Sequence, residues 1–204
     1  MKAERTLILA CGALSHEIVA LIRANGWDHF SVQCLPADLH NRPGEIPEAV
    51  RGKIRAARAS YDHVFVAYAD CGTGGRLDAV LAEEDVERLP GAHCYEFYAG
   101  SGVFHALAEE EPGTFYLTDF LVRHFDRLVV RGMGLDRHPE LLSMMFGHYR
   151  RVVYLAQTDS DDLRARARAA AERLGLDYEY RFAGFGDLET VLAREHARSS
   201  GEQG

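Results

Sequence analysis

The side chains best suited to chemistry in this sequence are thiols placed where predicted strands end. Cys11, Cys71 and Cys94 fall at or near the carboxyl ends of short apolar runs that predict β-strands. Parallel strands end on one edge of a sheet, so we expect the three sulfurs to converge there. Thiolates are soft ligands that suit zinc or an iron–sulfur cluster, and three protein ligands with one open position are typical of catalytic zinc. The spacing therefore predicts a metal site with Cys11, Cys71 and Cys94 as ligands; the alternative is that small, apolar thiol side chains simply pack in the core.

Polar residues near these thiols are candidates for the remaining roles in such a site. His40 lies in the loop that leaves the second predicted strand, where an imidazole can bind a metal or move a proton. Asp70 directly precedes Cys71. We predict that His40 or Asp70 is a fourth ligand or a general acid–base, which makes both of them candidate catalytic residues. Arg42 carries a planar guanidinium that suits a carboxylate or phosphate, although its loop also fits an ordinary turn.

A glycine-rich turn follows Asp70 and Cys71. Three glycines within four positions allow a left-handed backbone and close approach to a ligand. The sequence predicts that this turn holds an anionic substrate; its alternative is a tight strand-to-helix turn. The predicted ligand-binding residues are Gly72, Thr73, Gly74 and Gly75, together with Arg42.

The sequence predicts structural roles, and not chemical ones, for the fourth cysteine and for one aspartate. Cys34 lies one residue before the end of the second predicted strand, which indicates core packing. Cys94 is expected inside a short strand, Ala92–Phe97. Asp119 follows another predicted strand, Thr114–Thr118. We expect it to cap the next helix, and a role as an acid is the less favoured alternative.

The predicted elements alternate between strand and helix along the chain. This alternation predicts an α/β fold with a mostly parallel sheet and helices on both faces, and it also allows two Rossmann-like halves. We expect one α/β domain over residues 1–198, with potential halves at 1–112 and 113–198. Residues 199–204 are expected to form a disordered tail.

The composition of the chain excludes some classes of binding partner. Of the 204 residues, 47% are hydrophobic, which suffices for a core without disulfides. The net charge of −8 argues against nucleic acid as a binding partner. No run approaches the roughly 18 apolar residues of a membrane span. No signal-peptide layout opens the chain and no Cys-x-x-Cys pair occurs, so we expect a cytoplasmic protein with reduced thiols and a small-molecule ligand.

Several segments together resemble a bacterial and archaeal family known as domain of unknown function number sixteen thirty-eight. The likeness runs over residues 5–192. Its members often lie near genes for corrinoid-dependent methyl transfer, so the resemblance implies one-carbon metabolism and a corrinoid methyl-transfer system as a partner. It brings no catalytic assignment. The segments that carry it are Ala10–Leu14, Leu35–Pro43, Asp70–Gly75, His93–Glu96, Pro112–Phe120 and Tyr154–Asp159.

Three functional hypotheses follow, and whether the protein is an enzyme stays open. The first is a zinc- or iron–sulfur-dependent protein of one-carbon metabolism. The second is a metal-free accessory protein that binds a small anion or a nucleotide-like ligand. The third is a thiol enzyme with Cys71 as nucleophile beside Asp70. It ranks lowest because an adjacent carboxylate raises the pKa of a thiol and disfavours the thiolate unless a cation offsets it.

Overall fold

The computed structural model describes residues 4–201 and contains two compact units. The first unit comprises the chain up to Cys94 together with the residues from Asp187 onward, and the second comprises Tyr95–Gly186. In chain order the elements are β1 (Thr6–Cys11), α1 (Ser15–Asn25), β2 (Phe30–Leu35), α2 (Ile46–Ala57), β3 (His63–Ala67), α3 (Arg76–Glu84), β4 (Glu87–Arg88), α4 (Cys94–Ala99), α5 (Ser101–Glu110), β5 (Thr114–Thr118), α6 (Asp119–Arg123), α7 (Leu141–Phe146), β6 (Arg151–Ala156), α8 (Asp161–Leu174), β7 (Asp177–Phe182) and α9 (Leu188–Ser200).

The first unit is built on a four-stranded parallel sheet in the order β2-β1-β3-β4. Every residue of β1 is buried, as expected for a central strand covered on both faces. Ala10 of β1 lies opposite Cys34 of β2 on one side and Ala67 of β3 on the other. This register brings the carboxyl ends of β1, β2 and β3 to a common edge, where the loops that follow them begin.

The second unit contains a three-stranded parallel sheet in the order β5-β6-β7. Its larger core joins β5 and β6 to α8, with Leu117, Val152 and Tyr154 among the fully buried side chains. The α/β class with parallel sheets predicted from the sequence is confirmed, as two separate sheets. The division between the units falls after Cys94, whereas the sequence suggested halves that meet near residue 112.

Two local predictions are wrong. The segment Ala92–Phe97 is not a strand: Cys94 is the first residue of α4, and Gly100 with φ 76° follows that helix. Asp119 does not cap the helix after β5. The cap is Thr118, whose side-chain oxygen accepts a hydrogen bond from the amide of Leu121.

The predicted tail is also partly wrong. Ser199 and Ser200 belong to α9, and the carbonyl of Ser199 accepts a hydrogen bond from the amide of Glu4 at 3.0 Å. Residues 202–204 lie outside the described part of the chain. Within residues 4–201, no helix combines the length and the apolar character needed to cross a bilayer.

Candidate functional site

Four side chains with metal-ligating chemistry meet at the carboxyl edge of the first sheet. Cys11 is the last residue of β1, and His40 lies in the 3-10 turn Ala37–Asn41 that follows β2. Cys71 lies four residues beyond the end of β3, and Cys94 opens α4 after β4. The three sulfurs are buried and His40 is partly buried. Parallel register thus brings together residues that are distant in the chain, as the sequence predicts.

Cys11 and His40 contact each other directly. The Cys11 Sγ lies 3.7 Å from the His40 Nδ1, and the backbone amide of Ala13 donates to the same sulfur at 3.3 Å. The His40 Nδ1 also lies 3.2 Å from the carbonyl oxygen of Ala37. The Nδ1 atom of His40 is therefore shared between the Cys11 sulfur and the Ala37 carbonyl oxygen.

Cys71 and Cys94 form the other half of the cluster. The Cys94 thiol donates a hydrogen bond to the Cys71 sulfur, and this bond, aided by His40, lowers the pKa of Cys71 to about 5 although burial opposes it. The same hydrogen bond, together with burial, raises the pKa of Cys94 well above its ordinary value. At neutral pH one of the two sulfurs is therefore a thiolate and the other is a thiol that stabilises it.

His40 supplies the positive charge for that thiolate. Burial alone would lower its pKa, but hydrogen bonds and charge interactions with Cys11 and Cys71 overcome the burial and raise the pKa to about 11. His40 is thus an imidazolium between two sulfurs. The contacts run in sequence from Cys11 to His40, from His40 to Cys71 and from Cys71 to Cys94.

The conformation of Cys71 is unusual for a residue with a side chain. Its φ is 49°, in the left-handed region that favours glycine. The turn is held by Asp70, whose carboxylate accepts hydrogen bonds from the Thr73 hydroxyl at 2.6 Å, the Gly75 amide at 2.9 Å and the Gly74 amide at 3.1 Å. The carboxylate therefore braces the loop that presents the Cys71 sulfur.

These contacts also bear on the predicted roles of Asp70 and the glycine-rich turn. Burial opposes ionisation, but the hydrogen bonds from Thr73, Gly75 and Gly74 prevail and lower the pKa of Asp70, so this carboxylate is ionised at neutral pH. The amides of Gly74 and Gly75, which are among the residues predicted to bind an anionic substrate, each donate a hydrogen bond to Asp70. The pKa of Cys71 is lowered despite the neighbouring carboxylate, chiefly by the hydrogen bond from Cys94 and further by the His40 cation, which is the offset that the sequence interpretation required.

Arg42 and Cys34 lie on the solvent side of this edge. The Arg42 guanidinium is more than half exposed and pairs with Glu45 at 3.2 Å and with Asp38 at 3.8 Å. Cys34 is exposed, so its predicted role in core packing is wrong. Its pKa is raised, first by partial burial of the thiol and then by the nearby Cys11 sulfur.

Tyr68 is a member of this site that the sequence interpretation missed. It lies one residue beyond β3 and is 1% exposed, and its ring stacks on His40 with centroids 6.3 Å apart and planes 14° apart. Burial raises the pKa of its hydroxyl, with further contributions from the sulfurs of Cys11 and Cys71. The available signal was position, since Tyr68 ends the apolar run that leads to Asp70.

The side chains of the cluster touch in pairs and do not surround one point. Among residues 4–201, no group of three or more His, Cys, Asp or Glu side chains is arranged to enclose a metal ion. A separate cavity of about 440 Å³ lies elsewhere in the first unit and is lined by residues that include Asp62, His63 and Asp85. None of the predicted site residues lines that cavity.

Comparison with a family model identifies the class of protein. Residues 34–192 match the family described as "Protein of unknown function (DUF1638)", and the chain belongs to this family. The matched region contains His40, Cys71 and Cys94, whereas Cys11 precedes it.

Comparisons with individual proteins add little. A comparison with curated proteins finds no match. Among solved structures, an ornithine carbamoyltransferase from Pyrococcus furiosus is similar at 15% identity with a TM-score of 0.30. That likeness covers 97% of this chain and 65% of the transferase chain, and at this level it carries no argument about function.

Proposed function

We propose that the first unit binds zinc or an iron–sulfur cluster through Cys11, Cys71 and Cys94, with His40 as a fourth ligand or as the acid–base group beside it. One observation carries this proposal: a continuous series of contacts joins three buried thiols and an imidazole that come from four separate segments. Packing of small apolar side chains does not require sulfurs to hydrogen-bond to one another.

The states of the Cys71 and Cys11 sulfurs support a soft metal. Cys71 is already a thiolate, the form that binds metals, and the Cys11 sulfur receives an amide hydrogen bond of the kind that supports a ligating thiolate. Because the contacts are pairwise, the proposal requires rotation of these side chains toward a common point about 2.3 Å from each sulfur. Rotation about χ1 is a modest change for unbranched cysteine side chains.

A bound zinc would act as a Lewis acid toward a substrate at its open position. We place the substrate among small anions and assign its recognition to Arg42, whose two surface ion pairs exchange readily. The family resemblance points to one-carbon metabolism, with a corrinoid methyl-transfer system as the partner. The cytoplasm is the compartment we propose, because a reducing environment keeps the thiols available.

The test is metal content after anaerobic purification. We expect about one zinc, or a cluster with its visible absorption, per wild-type chain. Cys11→Ser, Cys71→Ser and Cys94→Ser should each lose most of the metal, because a serine hydroxyl is a harder and weaker ligand.

Cys34→Ser is the matched control. It makes the same change at an exposed thiol and should retain the wild-type metal content. Metal-free wild-type protein would reject the proposal, and so would an equal loss of metal in Cys34→Ser.

A second candidate, thiol chemistry at Cys71, is favoured by one observation. The lowered pKa of Cys71 and the imidazolium of His40 match the state of an activated cysteine nucleophile. Iodoacetamide should then alkylate Cys71 in metal-free protein faster than the exposed Cys34, with displacement of iodide and formation of a carbon–sulfur bond. Faster labelling of Cys34 would contradict this candidate. The metal-free anion-binding alternative has less support, because the amides of Gly74 and Gly75 are engaged with Asp70.

A further inference from the structure

Cys71 and Cys94 belong to two segments whose backbones are hydrogen-bonded to each other. The amide of Asp70 donates to the carbonyl of Gly91 at 3.2 Å. The amide of Cys71 donates to the carbonyl of Ala92 at 2.9 Å. Cys94 follows this contact as the first residue of α4, and its thiol donates a hydrogen bond to the Cys71 sulfur. The two sulfurs are therefore direct neighbours, although they come from different segments of the chain.

The turn that carries Cys71 holds its sulfur in that position. The Asp70 carboxylate accepts hydrogen bonds from Thr73, Gly74 and Gly75, which fix the turn from within. Cys71 has a φ of 49°, a left-handed conformation that a residue with a side chain keeps only when its surroundings impose it. The proximity of the Cys71 sulfur to Cys94 is thus built into the backbone.

The hydrogen bonds also distinguish the two thiols. The Cys71 sulfur accepts a hydrogen bond from Cys94 and makes a second one with His40, whereas Cys94 is the donor and keeps its proton. An acceptor sulfur next to a cationic imidazole is the better nucleophile. Cys71 and Cys94 are only 7% and 8% exposed, so a suitable reactant is one hardly larger than water. Hydrogen peroxide meets this requirement.

We propose that Cys71 and Cys94 are a peroxide-sensitive pair, in which hydrogen peroxide oxidises Cys71 and Cys94 converts the product to a disulfide. The Cys71 sulfur attacks one peroxide oxygen, so a sulfur–oxygen bond forms and the oxygen–oxygen bond breaks. The proton of the thiol leaves with the other oxygen as water, and Cys71 is then a sulfenic acid.

The second step uses the neighbouring thiol. The Cys94 sulfur attacks the Cys71 sulfur, a sulfur–sulfur bond forms and the sulfur–oxygen bond breaks. The hydroxyl group leaves with the Cys94 proton as a second water. Overall, the two thiols are oxidised to a disulfide and one peroxide is reduced to two waters. The reaction needs no metal, so it goes beyond the proposed metal site.

The experiment treats the full-length chain, freed of metal with a chelator, with hydrogen peroxide and maps its tryptic peptides without reduction. Each of the four cysteines lies in a tryptic peptide of its own, with Cys71 in residues 59–76 and Cys94 in residues 89–123. We expect these two peptides to be joined by a disulfide, and dithiothreitol should restore both thiols.

Two variants assign the order of the steps. In Cys94→Ser the sulfenic acid at Cys71 should persist, because a serine hydroxyl does not condense with it, and dimedone should label residues 59–76. Cys34→Ser is the matched control, since it makes the same change at an exposed thiol and should form the disulfide at the wild-type rate.

Three results would overturn the proposal. They are a disulfide that joins Cys71 to Cys11 or Cys34, a Cys71 that is oxidised to sulfinic acid in the wild-type chain, and a Cys71 that stays reduced while Cys34 is oxidised. The wild-type peptide map gives each of these results even where a variant does not fold. Because the chain is metal-free throughout, this proposal and the metal site stand or fall separately.

Discussion

The carboxyl edges of the two sheets differ in the groups that they bury and in the hydrogen bonds that those groups make. In the second unit, Asp119 is fully buried and its carboxylate accepts hydrogen bonds from the Tyr154 hydroxyl at 2.7 Å, the Gln157 amide at 3.0 Å, and the Thr158 amide and hydroxyl at 3.1 and 2.5 Å. In the first unit, the groups buried at the corresponding edge are the sulfurs of Cys11, Cys71 and Cys94, and the pKa of Cys71 is lowered. A carboxylate saturated with hydrogen bonds stabilises the fold, whereas a cluster of buried thiols with a lowered pKa at one of them keeps a reactive group at the edge of the sheet.

The largest expected effect is loss of stability in Asp119→Asn. The change keeps the shape but replaces an acceptor oxygen with a donor, so hydrogen-bond donors of Thr158 or Tyr154 are left unpaired in the interior. We expect the free energy of unfolding to fall by about 3 kcal/mol, measured by urea denaturation.

Asp126→Asn is the control for that variant. Asp126 pairs with Arg173 on the surface, where both side chains are more than half exposed, and its loss should cost less than about 1 kcal/mol. Equal losses in the two variants would show that burial of the Asp119 carboxylate adds nothing to its contribution to stability.

The second effect is a plateau in the stability of the metal-free protein as pH changes. The pKa of Cys71 is lowered from 9.0 to about 5, so the unfolded chain binds the extra proton and stability rises with pH between those values. The pKa of His40 is raised from 6.5 to about 11, so the folded chain binds the extra proton and stability falls with pH between those values. The combined contribution of Cys71 and His40 to the free energy of unfolding therefore rises from about pH 5 to 6.5, is level to about pH 9, and falls toward pH 11.

Comparison with a variant that lacks both groups separates the effect of Cys71 and His40 from that of the other titrating groups. The free energy of unfolding is measured across pH for wild type and for the double variant Cys71→Ala, His40→Gln, and the difference should show the plateau. A difference that rises steadily from pH 6.5 to 9 would mean that His40 carries no extra proton in the folded protein.

A smaller effect is expected when a thiol of the first edge is removed. Cys94→Ala in metal-free protein should cost only about 1 kcal/mol, a typical value for one small buried group. The pKa of Cys71 should rise, because its hydrogen-bond donor is gone, and the ultraviolet absorbance of the thiolate reports this. A loss as large as that of Asp119→Asn would show that the cysteine cluster is a structural element.

The smallest effect is expected for Arg42→Ala. Both ion pairs of Arg42 are more than half exposed, so the free energy of unfolding should change by less than about 0.5 kcal/mol. Urea denaturation checks this. A larger loss would show that Arg42 holds its loop in place and is not free to bind a substrate.

Strand-forming patterns predicted the convergence of the thiols because parallel register follows from alternating strands and helices. The Ala92–Phe97 segment failed because its aromatic residues favour a strand locally, while in the fold Cys94 begins a helix. Asp119 looked like a helix cap because caps outnumber buried carboxylates, and its partners Tyr154 and Thr158 are more than 30 residues away in the chain. Tyr68 was missed for a related reason, since a tyrosine at a strand end usually indicates packing.

The chain order of the units has a consequence for how the protein is made. The first unit is discontinuous: α9 follows the whole second unit, yet its Glu195 is buried against His63 of β3. During synthesis, Tyr95–Gly186 emerges as one uninterrupted stretch that can fold at once. The earlier strands must wait for α9 before their own unit is complete, so the thiols that are buried in the finished unit are the last to be enclosed.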